Sequence, residues 1–171
     1  MLVAIVEQRP ETTNTIKLAG VLDEHNPLDE IVEKLHAGVA TINLSGVTDV
    51  SRRGARDWAA WLDALVSHGV WPQLVACSPA FVAYLNREPT FRGAIFVKNV
   101  CVPYVCTRCH LSQLQPIDVE NIDEMHEAPL CTCDHCGGEL AFDGPPDYFD
   151  FLDTPDPELA RGSRALIVPG D

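Results

Sequence analysis

Val39-Ala-Thr-Ile-Asn-Leu44, then Ser45-Gly46, then Ser51-Arg-Arg-Gly54-Ala-Arg-Asp-Trp58 is the passage that sets the architecture. The first six residues are rich in apolar and β-branched side chains and predict a strand bounded by Ser45-Gly46. A helix is expected to start near residues 51–54 and to run to about residue 67. Its apolar stripe is Ala55, Trp58, Leu62, Leu65 and Val66, with Trp61 at the margin, and Gly69 ends it. Upstream, residues 2–7 and 13–19 read as two strands joined by a polar turn at 10–12. Asn26-Pro27 opens a helix, Asn as N-cap and Pro in the first turn, carried by Leu28, Ile31, Val32 and Leu35 and stopped by Gly38. Downstream come a short strand at 73–77, a helix from Ser78-Pro79 through Leu85, and a strand at 94–100. Strands alternating with helices predict an α/β layer with a largely parallel sheet.

Beyond residue 102 the pattern changes. Cys106-Thr-Arg-Cys109 and Cys133-Asp-His-Cys136-Gly137-Gly138 are two C-x-x-C pairs. Each pair turns two thiolates toward one point, and two such turns supply a tetrahedral zinc site. The glycines permit the tight backbone turn that a side chain would hinder. The expectation is one structural zinc held by Cys106, Cys109, Cys133 and Cys136 in a zinc ribbon over residues 103–143. A four-ligand shell leaves no position for a reacting water, which argues against zinc hydrolysis. Cys131, His110 and His135 are rival ligands close by; Cys77 reads as a small core residue and Cys101 as isolated. The division expected is an α/β domain over 1–102, the ribbon, and an acidic tail over 144–171.

Charge is unevenly spread in this chain of 171 residues and net charge −13. Residues 1–100 carry 9 Lys/Arg against 11 Asp/Glu; residues 101–171 carry 3 against 14. So acidic a ribbon would repel a phosphate backbone, which argues against nucleic acid and for a basic partner surface. The apolar start at residues 1–6 meets Glu7 at once and reads as a strand rather than a signal peptide. The stretch 64–86 lacks formal charge, but His68, Gly69, Pro72, Gln73, Ser78 and Pro79 interrupt it, so no membrane span is expected. Seven cysteines with metal-type spacing point to a reducing, cytoplasmic setting.

The first hundred residues resemble the STAS family, the fold of anti-sigma-factor antagonists. The resemblance is carried by Gly20-Val-Leu-Asp23, by residues 40–44 leading into Ser45-Gly46-Val47-Thr48-Asp49-Val50, and by Gly54 at the helix start. Bacterial proteins that look like a STAS domain followed by a two-C-x-x-C ribbon share the Pro-Tyr-x-Cys-x-x-Cys pattern seen at residues 103–109. The family implies a mixed sheet with packed helices and no enzymatic activity. It also implies binding to a regulatory kinase, an anti-sigma factor or an assembly component. Typical antagonists place Ser or Thr in the two positions before the helix-start glycine, where phosphorylation switches binding. Here those positions are Arg52 and Arg53, so that switch is lost; Ser51 reads first as an N-cap.

Two surfaces are candidates for partner binding. Asp49, Ser51, Arg52, Arg53 and Arg56 crowd the start of the second helix, where the dipole favours anions; the arginines either pair with Asp49 or Asp57 or dock an acidic partner. Tyr148, Phe149, Phe151 and Leu152, flanked by acids, form a tail docking motif for this chain or another, and residues 166–168 are a short apolar run able to add an edge strand. No G-x-S-x-G nucleophile and no phosphate-cradling glycine loop occurs. The sequence therefore predicts a non-enzymatic bacterial regulatory or scaffold protein. Two alternatives stand beside it: a thiol redox sensor that releases zinc on oxidation, and, against the charge, a nucleic-acid-binding ribbon. Oligomeric state is not readable from the sequence.

Overall fold

A computed structural model describes residues 2–8, 14–88 and 95–153. The expected turn at 10–12, Thr13, Ala94 and the run 166–168 lie outside the described residues. The chain is an α/β fold built on two sheets. The first sheet has the order β1 (Leu2–Gln8), β2 (Asn14–Leu22), β3 (Gly38–Val50), β4 (Val70–Val75), β5 (Phe96–Val97). β1 and β2 pair antiparallel, and every later neighbour is parallel. Helices α1 (Leu28–Val32), α2 (Arg52–Ser67) and α3 (Pro79–Arg87) make the crossovers. Because the parallel strands follow one another in chain order, right-handed crossovers bring all three helices to one face. Strand burial agrees. Ile16, Leu18, Ala40, Ile42, Leu44, Val70 and Leu74 are buried, while Lys17, Val39 and Trp71 on the opposite face are exposed.

Several boundaries differ from the sequence reading for local reasons. β3 does not stop at Ser45-Gly46 but continues to Val50. Its neighbour β2 also continues, with register shifts between Lys17 and Ala19 and between Gly20 and Val21. A Cβ on Gly46 would lie 2.6 Å from the Ala19 Cβ, so only glycine lets the two strands stay paired there. α1 is shorter than expected, ending at Val32, with Pro27 rather than Asn26 in the cap position; the Asn26 side chain still accepts the Leu28 N–H (3.3 Å). Gly38 begins β3, with φ 131°, instead of closing α1. The strand expected at 73–77 is Val70–Val75, and α3 extends past Leu85 to Arg87. Both serine caps are formed: Ser51 Oγ accepts from Gly54 N (3.0 Å) and Ser78 Oγ from Phe81 N (3.3 Å), each contributing about 1 kcal/mol.

Trp58 and Trp61 are both fully buried, so Trp61 belongs to the core and not to its margin. Trp58 packs against Trp61 and, edge-on, against Phe81 of α3, with centroids 5.2 and 5.1 Å apart. Asn14, buried at the start of β2, exchanges two hydrogen bonds with the His36 backbone and fixes the α1–β3 loop.

The single strand expected at 94–100 is split. β5 ends at Val97, and β6 (Asn99–Cys106) opens a second, antiparallel sheet of order β7 (Ser112–Asp118), β6, β9 (Glu139–Phe142), β8 (Cys131–Thr132). Pro103, expected to stand at the start of the ribbon, lies inside β6. The sheets meet where Cys77 bridges to Val100 in parallel fashion. Asn99 ties this seam: its Oδ1 accepts the Ala76 N–H and its Nδ2 donates to Asp118 (3.0 Å). One apolar cluster runs from Leu2 and Trp58 through Val100 and Tyr104 to Leu140 and Phe151.

Candidate metal centre

The second sheet carries the four cysteines at one end. Cys106 closes β6, and the chain turns back through Cys109 and His110, whose φ is 59°. The turn is held by His110 N donating to Cys106 O (3.0 Å) and Cys106 N donating to Leu111 O (3.0 Å). The second knuckle repeats the device after β8: Gly137 N donates to Cys133 O (2.8 Å) and Cys133 N to Gly138 O (2.7 Å), with Gly137 at φ 68°. Thr107 N and Oγ1 both donate to Glu139 O, locking the knuckles together. Asp134 accepts from Gln115 (3.2 Å) and Gln113 (3.5 Å), which fastens the second knuckle to β7.

The Sγ atoms of Cys106, Cys109, Cys133 and Cys136 all lie within 4.8 Å of one another. Cys106 and Cys136 stand 3.5 Å apart, Cys109 and Cys133 3.7 Å apart. A tetrahedral ion with metal–sulfur bonds of about 2.3 Å spaces its sulfurs by about 3.8 Å. Four sulfurs from four corners at that spacing can hold one metal ion. The backbone is shaped for them: a Cβ on Gly138 would lie 3.3 Å from the sulfurs of both Cys106 and Cys136 and 2.9 Å from the Arg108 Cβ.

The sulfurs differ electrostatically. The Cys109 N–H and then the Arg108 N–H donate to Cys106 Sγ (3.4 Å each), bringing its thiol down to about 6. At Cys109 the Leu111 N–H favours the thiolate, but burial and the three neighbouring sulfurs together outweigh it and push the thiol up to about 12. Four thiolates at this spacing repel one another unless a cation sits among them.

The rival ligands fall outside this group. His110 and His135 are exposed, and Cys131 lies half-buried on β8. Cys77 and Cys101 are buried at the seam between the sheets, and burial raises both thiols, as expected of core residues.

The partner-binding candidates are dispersed. Arg52, Arg53 and Arg56 are exposed on the first turns of α2 and make no ion pair among the described residues. Asp57 instead accepts from Asn26 (3.4 Å), and exposed Asp49 caps its own neighbour Val50 N (2.8 Å). Tyr148, Phe149 and Phe151 are buried in cis, and Leu152 is half-buried. Asn86, at the end of α3, had no signal in the sequence, yet it binds this segment three times. It donates to Asp147 O (2.6 Å) and Tyr148 O (3.1 Å) and accepts from Phe151 N (2.8 Å).

No helix among the described residues is long and apolar enough to cross a membrane. Neither protein-family models nor curated proteins give a match to this chain.

Proposed function

We propose that this chain is a non-enzymatic regulatory or scaffold protein of the bacterial cytoplasm, binding a protein partner through a STAS-like layer braced by a structural zinc ribbon. The observation that carries the reading is the exposed cluster of Arg52, Arg53 and Arg56, unpaired among the described residues, in a chain of net charge −13. An acidic chain gains nothing in solubility from three isolated arginines at the positive end of a helix dipole; they fit a complementary acidic surface. The STAS resemblance implies a mixed sheet with packed helices, and the mixed first sheet with its three crossover helices supports that reading. Soft thiolate ligands in a closed four-sulfur set suit zinc in a structural role. The metal would link β6, β8 and β9 and supply no reacting position. A regulatory kinase, an anti-sigma factor or an assembly component is the class of partner.

Charge reversal tests this. Arg52→Glu with Arg53→Glu, used as bait beside the wild-type chain, is expected to lose its acidic partner by about tenfold or more, with metal content and helicity unchanged. Equal recovery of the same partners by both baits would remove α2 as the docking face.

A further inference from the structure

Residues 145–153 fold back as a strap across the end of α3. Hydrogen bonds hold it at two places: the three with Asn86, and Tyr148 Oη donating to Cys101 O (2.7 Å). Beyond these, its seat is aromatic. Phe142 lies 5.8 Å from Tyr148, edge-on, and 5.9 Å from Phe149, stacked. The Asp150–Leu152 turn touches α3, with Phe151 buried, and beside it the strap leaves an open groove of about 400 Å³ lined by Pro79, Ala83, Arg87 and Asp150.

Phe142 is the last residue of β9, paired with Tyr104 of β6. The chain reverses over its ring at Gly144, where a Cβ would come 2.4 Å from the ring. β9 has four residues and β8 two, and only three residue pairs join β9 to β6. Strands this short have no independent stability, and a segment of this size lacks a sufficient core of its own. What fixes β9 is the pair of knuckles at its N-terminal end, through Cys133 N to Gly138 O and Thr107 to Glu139 O.

We infer that the strap is a metal-dependent latch on α3: its aromatic seat exists only while the four-cysteine centre keeps β9 in register, so losing the metal frees the strap and uncovers the α3 face beneath it. This rests on the reading that the four cysteines hold a metal. It adds regulation to the proposed scaffold, because metal supply decides whether the strap-bound Asn86 side chain is open to a partner. α3 itself does not need the strap to persist. Its N-terminus is capped by Ser78, and Phe81, Val82 and Leu85 are buried in the core.

Hydrogen exchange on the full chain, kept reduced and either metal-loaded or treated with a chelator, tests the latch. Chelation is expected to speed exchange in residues 148–153 by about tenfold or more while α2 and the β2–β3 pair stay protected. Asn86→Ala is expected to free the same residues with the metal still bound in full. The latch is overturned if the strap keeps its protection after the metal leaves, if α2 opens to the same extent, or if Asn86→Ala leaves the strap in place. A chain that never binds metal overturns the metal reading instead, a result separate from failure of the latch in a loaded protein.

Discussion

Cys133→Ser is expected to abolish stoichiometric metal binding and to melt the second sheet while the first survives. Metal binding in small stapled folds contributes about 10–16 kcal/mol, far more than the few short strands here supply by burial. A serine hydroxyl is a poor replacement for thiolate on a soft-ligand ion. Trp58, Trp61, Leu62 and Phe81 lie buried on helices of the five-stranded layer, so far-UV circular dichroism should retain its helical signal. Metal analysis should fall from one ion per chain toward none, and limited proteolysis should open between residues 107 and 140. Cys131→Ser and Cys77→Ser, outside the four-sulfur group, should each keep the ion. Metal retained by Cys133→Ser but lost by Cys131→Ser would reverse the ligand assignment.

Gly54→Ala is expected to cost about 3 kcal/mol or more, lowering Tm by roughly 10 °C in a chain of this size. In most exposed helices the change gains about 1 kcal/mol through propensity. Here the added Cβ would lie 2.1 Å from Leu22 O, 2.5 Å from Leu22 C and 2.8 Å from Asp23 N. All three are backbone atoms that cannot swing aside, and Ser51 N already donates to Leu22 O at 2.9 Å. α2 would have to lift from the end of β2, disturbing the packing of Trp58 beneath it. Thermal unfolding measures the loss, and metal content should stay at one ion per chain. An unchanged or raised Tm would show that α2 does not approach β2 this closely.

Local chemistry made much of this legible. Ser51 and Ser78 as caps, the stripe of α2 and the alternation of strand and helix all depend on residues within a turn or two of one another. So do the two knuckles, because C-x-x-C followed by glycine specifies its own backbone turn. The misses are long-range. Ser45-Gly46 looks like a strand end because nothing nearby reveals that Ala19 needs the missing Cβ. Trp61 looks marginal because periodicity on one helix does not show what other elements pack over it. Asn86 was invisible: its three bonds reach residues 61 to 65 positions away, and an asparagine near a helix end is otherwise unremarked. For the same reason the sequence left open whether Tyr148 and Phe149 dock at home or elsewhere. It also leaves the arginines of α2 with a choice of partners, and among the described residues they pair with neither: Asp57 accepts from Asn26 and Asp49 from Val50 N.

The account turns on what surrounds the metal. X-ray absorption on protein purified under reducing conditions, together with elemental analysis, should find one zinc per chain bound by four sulfurs at about 2.3 Å. A nitrogen or oxygen ligand in that shell, a different metal such as iron, or the absence of any bound metal would contradict it.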